Sequence, residues 1–140
     1  MSIVVSAGTS GDAFNVTALN RIGLGSTTPV AKLSVNGNIV VEPQALTDGT
    51  TITIDWALGN VFFVTLGGSR TIAFSNVEIG QAIRVYYTQD STGSRTLTHP
   101  GTVTFLGGAP TLSTGGGETD ILIYSTATST LTVHASYSIN

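Results

Sequence analysis

Apolar and polar residues alternate with a period of two along most of this chain, and Gly, Asn, Asp or Pro interrupts the alternation every few residues. Ile52, Ile54 and Trp56 fall on one face of such a stretch, and the stretch 61–66 repeats the pattern. Successive residues of a strand point to opposite sides, so this pattern predicts strands with one buried face. No window of a dozen residues shows the 3.6-residue period of a helix. An all-β fold is therefore predicted, with about eight strands between residues 50 and 137.

Two regions of the chain differ in how many of their residues take part in the alternation of apolar and polar positions. Residues 43–140 carry most of the alternation, and their length and strand spacing predict an antiparallel β-sandwich head of the jelly-roll type. In residues 1–42 the apolar positions are few and interrupted, so this region cannot close a core alone. It is predicted to form a short N-terminal arm and stem.

Turn residues within the head predict how its strands are connected. Gly67-Gly68 and the loop 90–94 are predicted to close hairpins of antiparallel strands. A Gly-Ser-Arg-Thr motif occurs at both 68–71 and 93–96, and two copies predict similar hairpin entries and not a solenoid. The last two strands are predicted to pair as a hairpin. Its predicted core side consists of Ile121, Ile123, Leu131, Val133 and Ala135.

The surface of the protein must be covered by uncharged groups, since only 9% of its residues are charged, against about 25% in ordinary domains. Its 23 Thr and 14 Ser residues supply hydroxyls instead. A surface with so little charge resists self-association weakly. The net charge of -3 and the scattered cations argue against a nucleic-acid partner, and no apolar run is long enough to span a membrane. Cysteine is absent, which excludes disulfides and thiolate metal sites.

The segment 22–39 reads IGLGSTTPVAKLSVNGNI. It resembles a motif common in the tail-fibre and appendage proteins of tailed phages, roughly I-G-I-G-T-T-x-P-x-A-K-L-D-V-N-G-N-I, with Ser34 in place of the usual Asp. Segments 58–72 and 88–97 resemble the two hallmark stretches of a module found in phage fibres and capsid-associated proteins. Together the resemblance covers roughly residues 21–137.

The resemblance implies a homotrimer, because the motif typically lies in an intertwined trimeric stem or at its junction with a globular part. An arm too thin to bury its own apolar residues becomes stable when three copies wrap together. The predicted stem interface consists of Ile22, Leu24, Leu33, Val35 and Ile39. The predicted docking arm consists of Ile3, Val4, Val5 and Phe14.

Two functions fit these features. The first is a structural protein of a tailed-phage virion, a trimeric capsid decoration or cement protein whose arm docks on other virion proteins such as the major capsid protein. It would lie on the virion surface after assembly in the host cytoplasm. The second is a short tail fibre or receptor-binding protein that recognises a glycan of the host surface. The absence of a long shaft favours the first.

The aromatic residues of the head allow either an interface or a sugar-binding groove. Trp56 and Tyr87 alternate with the predicted core, whereas Phe63 and Tyr86 point away from it. Aromatic residues are enriched at the cores of protein interfaces, which favours a subunit interface at Phe63 and Tyr86. A groove for a host glycan is the alternative.

No residue pattern predicts enzymatic chemistry, a cofactor or a metal. His99 and His134 lack the spacing of metal ligands, and His99 stands before a proline in a predicted turn. Glu118 and Asp120 follow a Gly run without the further oxygen ligands of a calcium loop, so a solvated loop is predicted there.

Overall fold

The computed structural model describes residues 15–17, 20–105, 108–127 and 133–138. This part of the chain holds strands, one short 3₁₀ turn at Trp56–Leu58 and no α-helix, which confirms the prediction of an all-β protein. The chain divides into two compact units, Met1–Val40 and Val41–Asn140. The strands are β1 (Asn15–Val16), β2 (Ile22–Leu24), β3 (Leu33–Val35), β4 (Gln44–Ala45), β5 (Thr51–Asp55), β6 (Val61–Leu66), β7 (Arg70–Ser75), β8 (Ala82–Gln89), β9 (Leu97–Thr98), β10 (Val103–Phe105), β11 (Thr119–Ser125) and β12 (Val133–Ser138).

The first unit contains one small sheet in the order β1-β2-β3, in which β1 is antiparallel and β3 parallel to β2. The connection from β2 to β3 is held by side chains of the unit itself. Arg21 Nη1 donates to the carbonyl of Pro29 at 3.1 Å. Ser34 Oγ accepts the backbone N–H groups of Val30 and Ala31 at 3.1 and 3.2 Å. Ser34 thereby fixes the turn that precedes β3.

The second unit contains two sheets between which the chain passes back and forth. Strands β4, β6 and β8 are parallel neighbours in a six-stranded sheet of order β10-β12-β11-β8-β6-β4. Strands β5, β7 and β9 are parallel neighbours in a three-stranded sheet. Each strand of the first set is followed by one of the second, so the chain makes three successive passes, each lying beside the one before.

This winding corrects the predicted strand order of the head. Antiparallel pairing holds for β8 with β11 and for β11 with β12, so the last hairpin is confirmed. The other pairings of the unit are parallel, and the antiparallel, jelly-roll-like order is wrong for them. The two Gly-Ser-Arg-Thr stretches are not hairpin entries. They lie in equivalent connections, β6 to β7 and β8 to β9, which carry the chain from one sheet to the other.

Stacked polar contacts between successive connections explain why the chain winds instead of folding back. The Asp48 carboxylate accepts Nε and Nη2 of Arg70 at 2.7 and 2.6 Å, and the N–H of Gly67 at 3.3 Å. One connection is thereby tied to the next. Ser69 Oγ continues the stack, since it accepts the backbone N–H and the hydroxyl of Thr96 at 3.1 and 3.0 Å. These bonds join residues about twenty or more positions apart, so a local turn signal does not reveal them.

The third connection is fixed by a buried amide. Gln89 accepts the N–H of Arg95 at 2.8 Å and donates to its carbonyl at 3.1 Å. Asp90 Oδ1 accepts the N–H of Gly93 at 3.0 Å. Gly93 has φ +72°, and a Cβ there would lie 2.2 Å from the carbonyl oxygen of Thr114. Only glycine therefore fits this corner.

One hydrophobic core lies in the second unit and receives side chains from both sheets. The inward faces predicted for β5, β6 and β8 are confirmed. The core consists of Ile52, Ile54, Trp56, Phe62, Val64, Leu66, Ile72, Ile83, Val85, Tyr87, Leu112, Leu122 and Tyr124.

The predicted face of β11 is wrong by one residue. Leu122 and Tyr124 are fully buried, whereas Ile123 is 45% exposed and Ile121 is half-buried on the other face. Both faces of this strand are apolar, so alternation alone does not choose between them. The pairing with β8 decides, because it places Leu122 beside the buried Val85. Leu131, which was predicted for the same face, lies outside the described residues, as do the side chains of Val133 and Ala135.

Candidate interaction surface

The residues predicted for the stem interface lie together on the small sheet of the first unit. Ile22 pairs with Leu33 and Leu24 with Val35 across the parallel strands β2 and β3. Ile39 lies beyond β3 and is exposed. The sheet therefore places four of the five predicted residues in two adjacent rows.

These side chains remain largely in contact with water. Seven large apolar residues of the first unit are between 37% and 85% exposed, and the buried residues among the described positions are Gly23 and Pro29. In a single copy, the seven side chains among the described residues of this unit are on average more than half exposed. The seven are Val16, Ile22, Leu24, Val30, Leu33, Ile39 and Val40.

The outer face of the six-stranded sheet carries the two aromatic residues that were predicted to point away from the core. Phe63 on β6 lies beside Tyr86 on β8, and Tyr86 lies beside Ile121 on β11. The adjacent row consists of Val61, Arg84 and Ile123 in the same strands. We call these six residues the outer patch.

The outer patch is apolar and accessible. Phe63 is 47% exposed, Tyr86 is half-buried, and Arg84 is exposed at the centre of the second row. Beside this row lies a shallow depression of about 150 Å³. Its lining includes Val41, Asn60 and Ala82 in addition to residues of the patch.

The other sheet of the same unit has an outer face of opposite character. Thr51 and Thr98 lie on either side of Thr71 across β5, β7 and β9, and Thr53 lies beside Ala73 in the next row. Threonine on an open face satisfies water with its hydroxyl. The chain thus places hydroxyls outside one sheet and aromatic and aliphatic groups outside the other, although the two sheets share a core.

A chain of hydrogen bonds crosses the core between the strands and the connection after β9. The Tyr87 and Tyr124 hydroxyls lie 3.0 Å apart, and the Tyr124 hydroxyl lies 2.8 Å from His99 Nε2. Burial raises the pKa of both tyrosines above their usual value of 10.0 and lowers the pKa of His99 from 6.5 to about 4. At neutral pH the phenols are protonated and the imidazole is neutral, so the network is uncharged.

The geometry gives these groups a structural role. His99 also packs edge-on against Phe105, with ring centroids 4.9 Å apart. Both tyrosines of the network are fully buried. His99, the third member, is half-buried and forms the end of the network nearest the surface. This interaction ties the connection after β9 to β8 and β11.

Glu118 and Asp120, the two acidic residues examined as calcium ligands, form hydrogen bonds with neighbouring residues of the chain. Asp120 is buried and accepts the N–H and the hydroxyl of Ser113, each at 2.8 Å. Glu118 accepts the N–H of Gly115 at 2.6 Å. No group of three His, Asp or Glu side chains within the described residues could hold a metal ion.

The Arg70 side chain, through its hydrogen bonds, holds the pKa of Asp48 below its usual value of 3.8, as Arg95 does for Asp90.

Trp56 and Tyr87 are buried in the core, as the sequence predicted. The predicted docking-arm residues Ile3, Val4, Val5 and Phe14 lie outside the described residues, and so do the side chains of His134 and Tyr137. None of the described helical residues forms a segment long and apolar enough to cross a membrane.

Sequence reasoning missed four members of the outer patch, Val61, Arg84, Ile121 and Ile123, and a signal for the apolar ones existed. Strands that are covered on both faces read as continuous apolar runs. Residues 61–64 and 121–124 are such runs, yet one face of each lies open in a single copy. Ile121 and Ile123 were assigned to the core, and Arg84 was not considered as a site residue.

Comparison of the chain with protein-family models, with curated proteins and with solved structures gives no match. The fold and the surfaces define an all-β protein with two apolar exposed regions, one in each unit.

Proposed function

We propose that this chain is a structural protein of a tailed-phage virion that assembles as a homotrimer through its N-terminal stem. In this proposal the second unit is the β-sandwich head, and the trimer decorates the capsid surface as a cement-type protein. The single observation that carries self-assembly is the exposure of nearly every large apolar residue among the described positions of the first unit.

The magnitude of this exposure supports assembly. The seven side chains together amount to about four fully exposed ones, so their complete burial would contribute roughly 6–12 kcal/mol per chain. For three chains this burial would amount to roughly 18–36 kcal/mol. The two association steps of a trimer cost an estimated 8–30 kcal/mol in lost freedom of motion, at about 4–15 kcal/mol each, so the balance favours assembly. The particle assignment rests on the resemblance of segments 22–39, 58–72 and 88–97 to phage virion proteins.

The stem proposal is tested with Leu33→Asp, which places a carboxylate in the proposed interface. Lys32→Asp is the matched control, since Lys32 is an exposed neighbour outside the predicted interface set. In sedimentation equilibrium we expect Leu33→Asp to dissociate the trimer at least about 100-fold more readily, with the control close to wild type. Equal behaviour of the two variants would contradict assembly through the stem.

The virion assignment is tested on particles. An antibody raised against the purified chain should label the heads of intact tailed particles from the organism that carries the gene. Absence of the chain from purified particles would contradict the assignment. Labelling confined to the tail tip would favour the tail-fibre alternative over capsid decoration.

A further inference from the structure

We propose that the outer patch packs against a second copy of this chain, with Arg84 forming an ion pair with Glu42 of the partner subunit. This inference rests on the self-assembly proposed above and assigns a second contact surface to it, in the head.

The contrast between the two sheets is the first argument. Both sheets belong to one unit and share one core, so the polarity of their outer faces is set independently of folding. The three-stranded sheet presents a row of Thr51, Thr71 and Thr98 to water. The six-stranded sheet presents Phe63 and Tyr86 in the corresponding place. Aromatic side chains on a sheet face that stays in water are unfavourable, because burying their apolar surface would contribute about 25 cal/mol per Å².

Charge complementarity identifies the occupant. Among the described residues of the second unit, Arg84 makes no side-chain hydrogen bond or ion pair, while Arg70 and Arg95 are each paired with an aspartate. Glu42 is likewise without a side-chain partner there, and it follows Val41, which lines the depression beside Arg84 and Ile123. The outer patch therefore carries an unpaired cation, and an unpaired carboxylate follows directly after a residue that lines the depression beside it. A second copy supplies the complement to both.

The size of the patch indicates that it does not act alone. Three strands about 4.8 Å apart and rows that span three residues give roughly 150 Å². A stable interface of standard size buries about 800 Å² on each partner. The patch would supply about a fifth of this, so in this proposal most of the contact area comes from other surfaces, the stem among them.

The mainly apolar composition of the patch argues against a glycan as occupant. Sugar-binding sites need several polar groups that converge on the ligand. Arg84 is the one charged group of the patch, and the Asn60 amide beside it already donates to the carbonyl of Ala82 at 3.0 Å. Binding of a sugar at the outer patch would therefore contradict the proposed contact between copies.

The test is a charge-reversal cycle on the full chain. Arg84→Glu and Glu42→Arg should each raise the dissociation constant of the oligomer at least about 10-fold, and the double variant should restore it to within about 3-fold of wild type. Phe63→Asp should weaken assembly about 100-fold or more. Thr53→Asp, on the outer face of the other sheet, is the control and should leave assembly unchanged.

All substituted positions are exposed, and the fluorescence of Trp56 with the far-ultraviolet circular dichroism spectrum reports whether each variant is folded. A folded wild-type oligomer that Arg84→Glu and Phe63→Asp leave intact overturns this inference and leaves the stem proposal standing. A wild type that is monomeric overturns both. Binding of the wild-type chain to a glycan array that is lost in Phe63→Asp would show a sugar platform and overturn the inference.

Discussion

Replacing Tyr124 with phenylalanine removes the central hydroxyl of the buried network without changing the size of the ring. Its hydroxyl contacts the Tyr87 hydroxyl at 3.0 Å and His99 Nε2 at 2.8 Å, so the substitution leaves two groups without their partner. Tyr87 is fully buried, so its hydroxyl has no direct contact with solvent. His99 is half-buried and can reach water.

The expected cost follows from these two losses. An unsatisfied buried hydroxyl costs about 1–3 kcal/mol, and the lost bond to a half-exposed imidazole about 1 kcal/mol, so Tyr124→Phe should lower the free energy of unfolding by about 2–4 kcal/mol. Tyr87→Phe removes an end of the network and leaves Tyr124 bonded to His99, so it should cost only about 1 kcal/mol. In the double variant the stranded Tyr87 hydroxyl is gone, so adding Tyr87→Phe to Tyr124→Phe should be neutral or stabilising.

The assay is urea unfolding followed by the fluorescence of Trp56, the one tryptophan of the chain, which is buried in the same core. All variants are compared at one protein concentration, because the proposed assembly would make apparent stability depend on concentration. Equal costs for the two single variants, or additive costs in the double variant, would refute the proposed order of the network.

Three further predictions concern the core, the imidazole and one corner. Ile54→Asp should prevent folding because it buries an unpaired carboxylate, whereas Thr53→Asp, one residue away on the open face, should keep a melting curve within a few degrees of wild type. The pKa of His99 is lowered from 6.5 to about 4; its contribution to stability is thus complete above pH 6.5 and declines as the pH falls from 6.5 to 4. The loss, about 1–2 kcal/mol after allowance for solvent screening of a half-exposed ring, should disappear from urea titrations of His99→Gln. Gly93→Ala should cost about 2 kcal/mol or more because of its positive φ and the close carbonyl, whereas Gly101→Ala, in open space, should change the melting temperature little.

The inward faces of the central strands could be predicted because their alternation is unambiguous. Ile52 and Ile54 alternate with Thr51, Thr53 and Asp55, so only one face of β5 can be buried. On β11 every position from Ile121 to Tyr124 is apolar, and the choice of face depends on the pairing with β8. The alternation of apolar residues does not reveal which strand pairs with β11 or in which register. The predicted buried face of β11 was therefore wrong by one residue.

The winding of the head could not be predicted for a related reason. A Gly-Gly turn is equally compatible with a hairpin and with a corner that carries the chain to another sheet. The bonds that hold successive connections together, such as that between Asp48 and Arg70, join residues that are distant in sequence. For the interaction surface, the adjacency of Phe63 and Tyr86 follows from a parallel register that the antiparallel prediction would not have produced.

Sedimentation equilibrium of the full chain at micromolar concentration tests the central claim, self-assembly, most directly. We expect a single species of about 43 kDa, three chains of 14.4 kDa, that persists on dilution below about 1 µM. A folded species of 14.4 kDa at every concentration up to about 100 µM would contradict it, since affinities that weak cannot reflect burial of the stem and the outer patch.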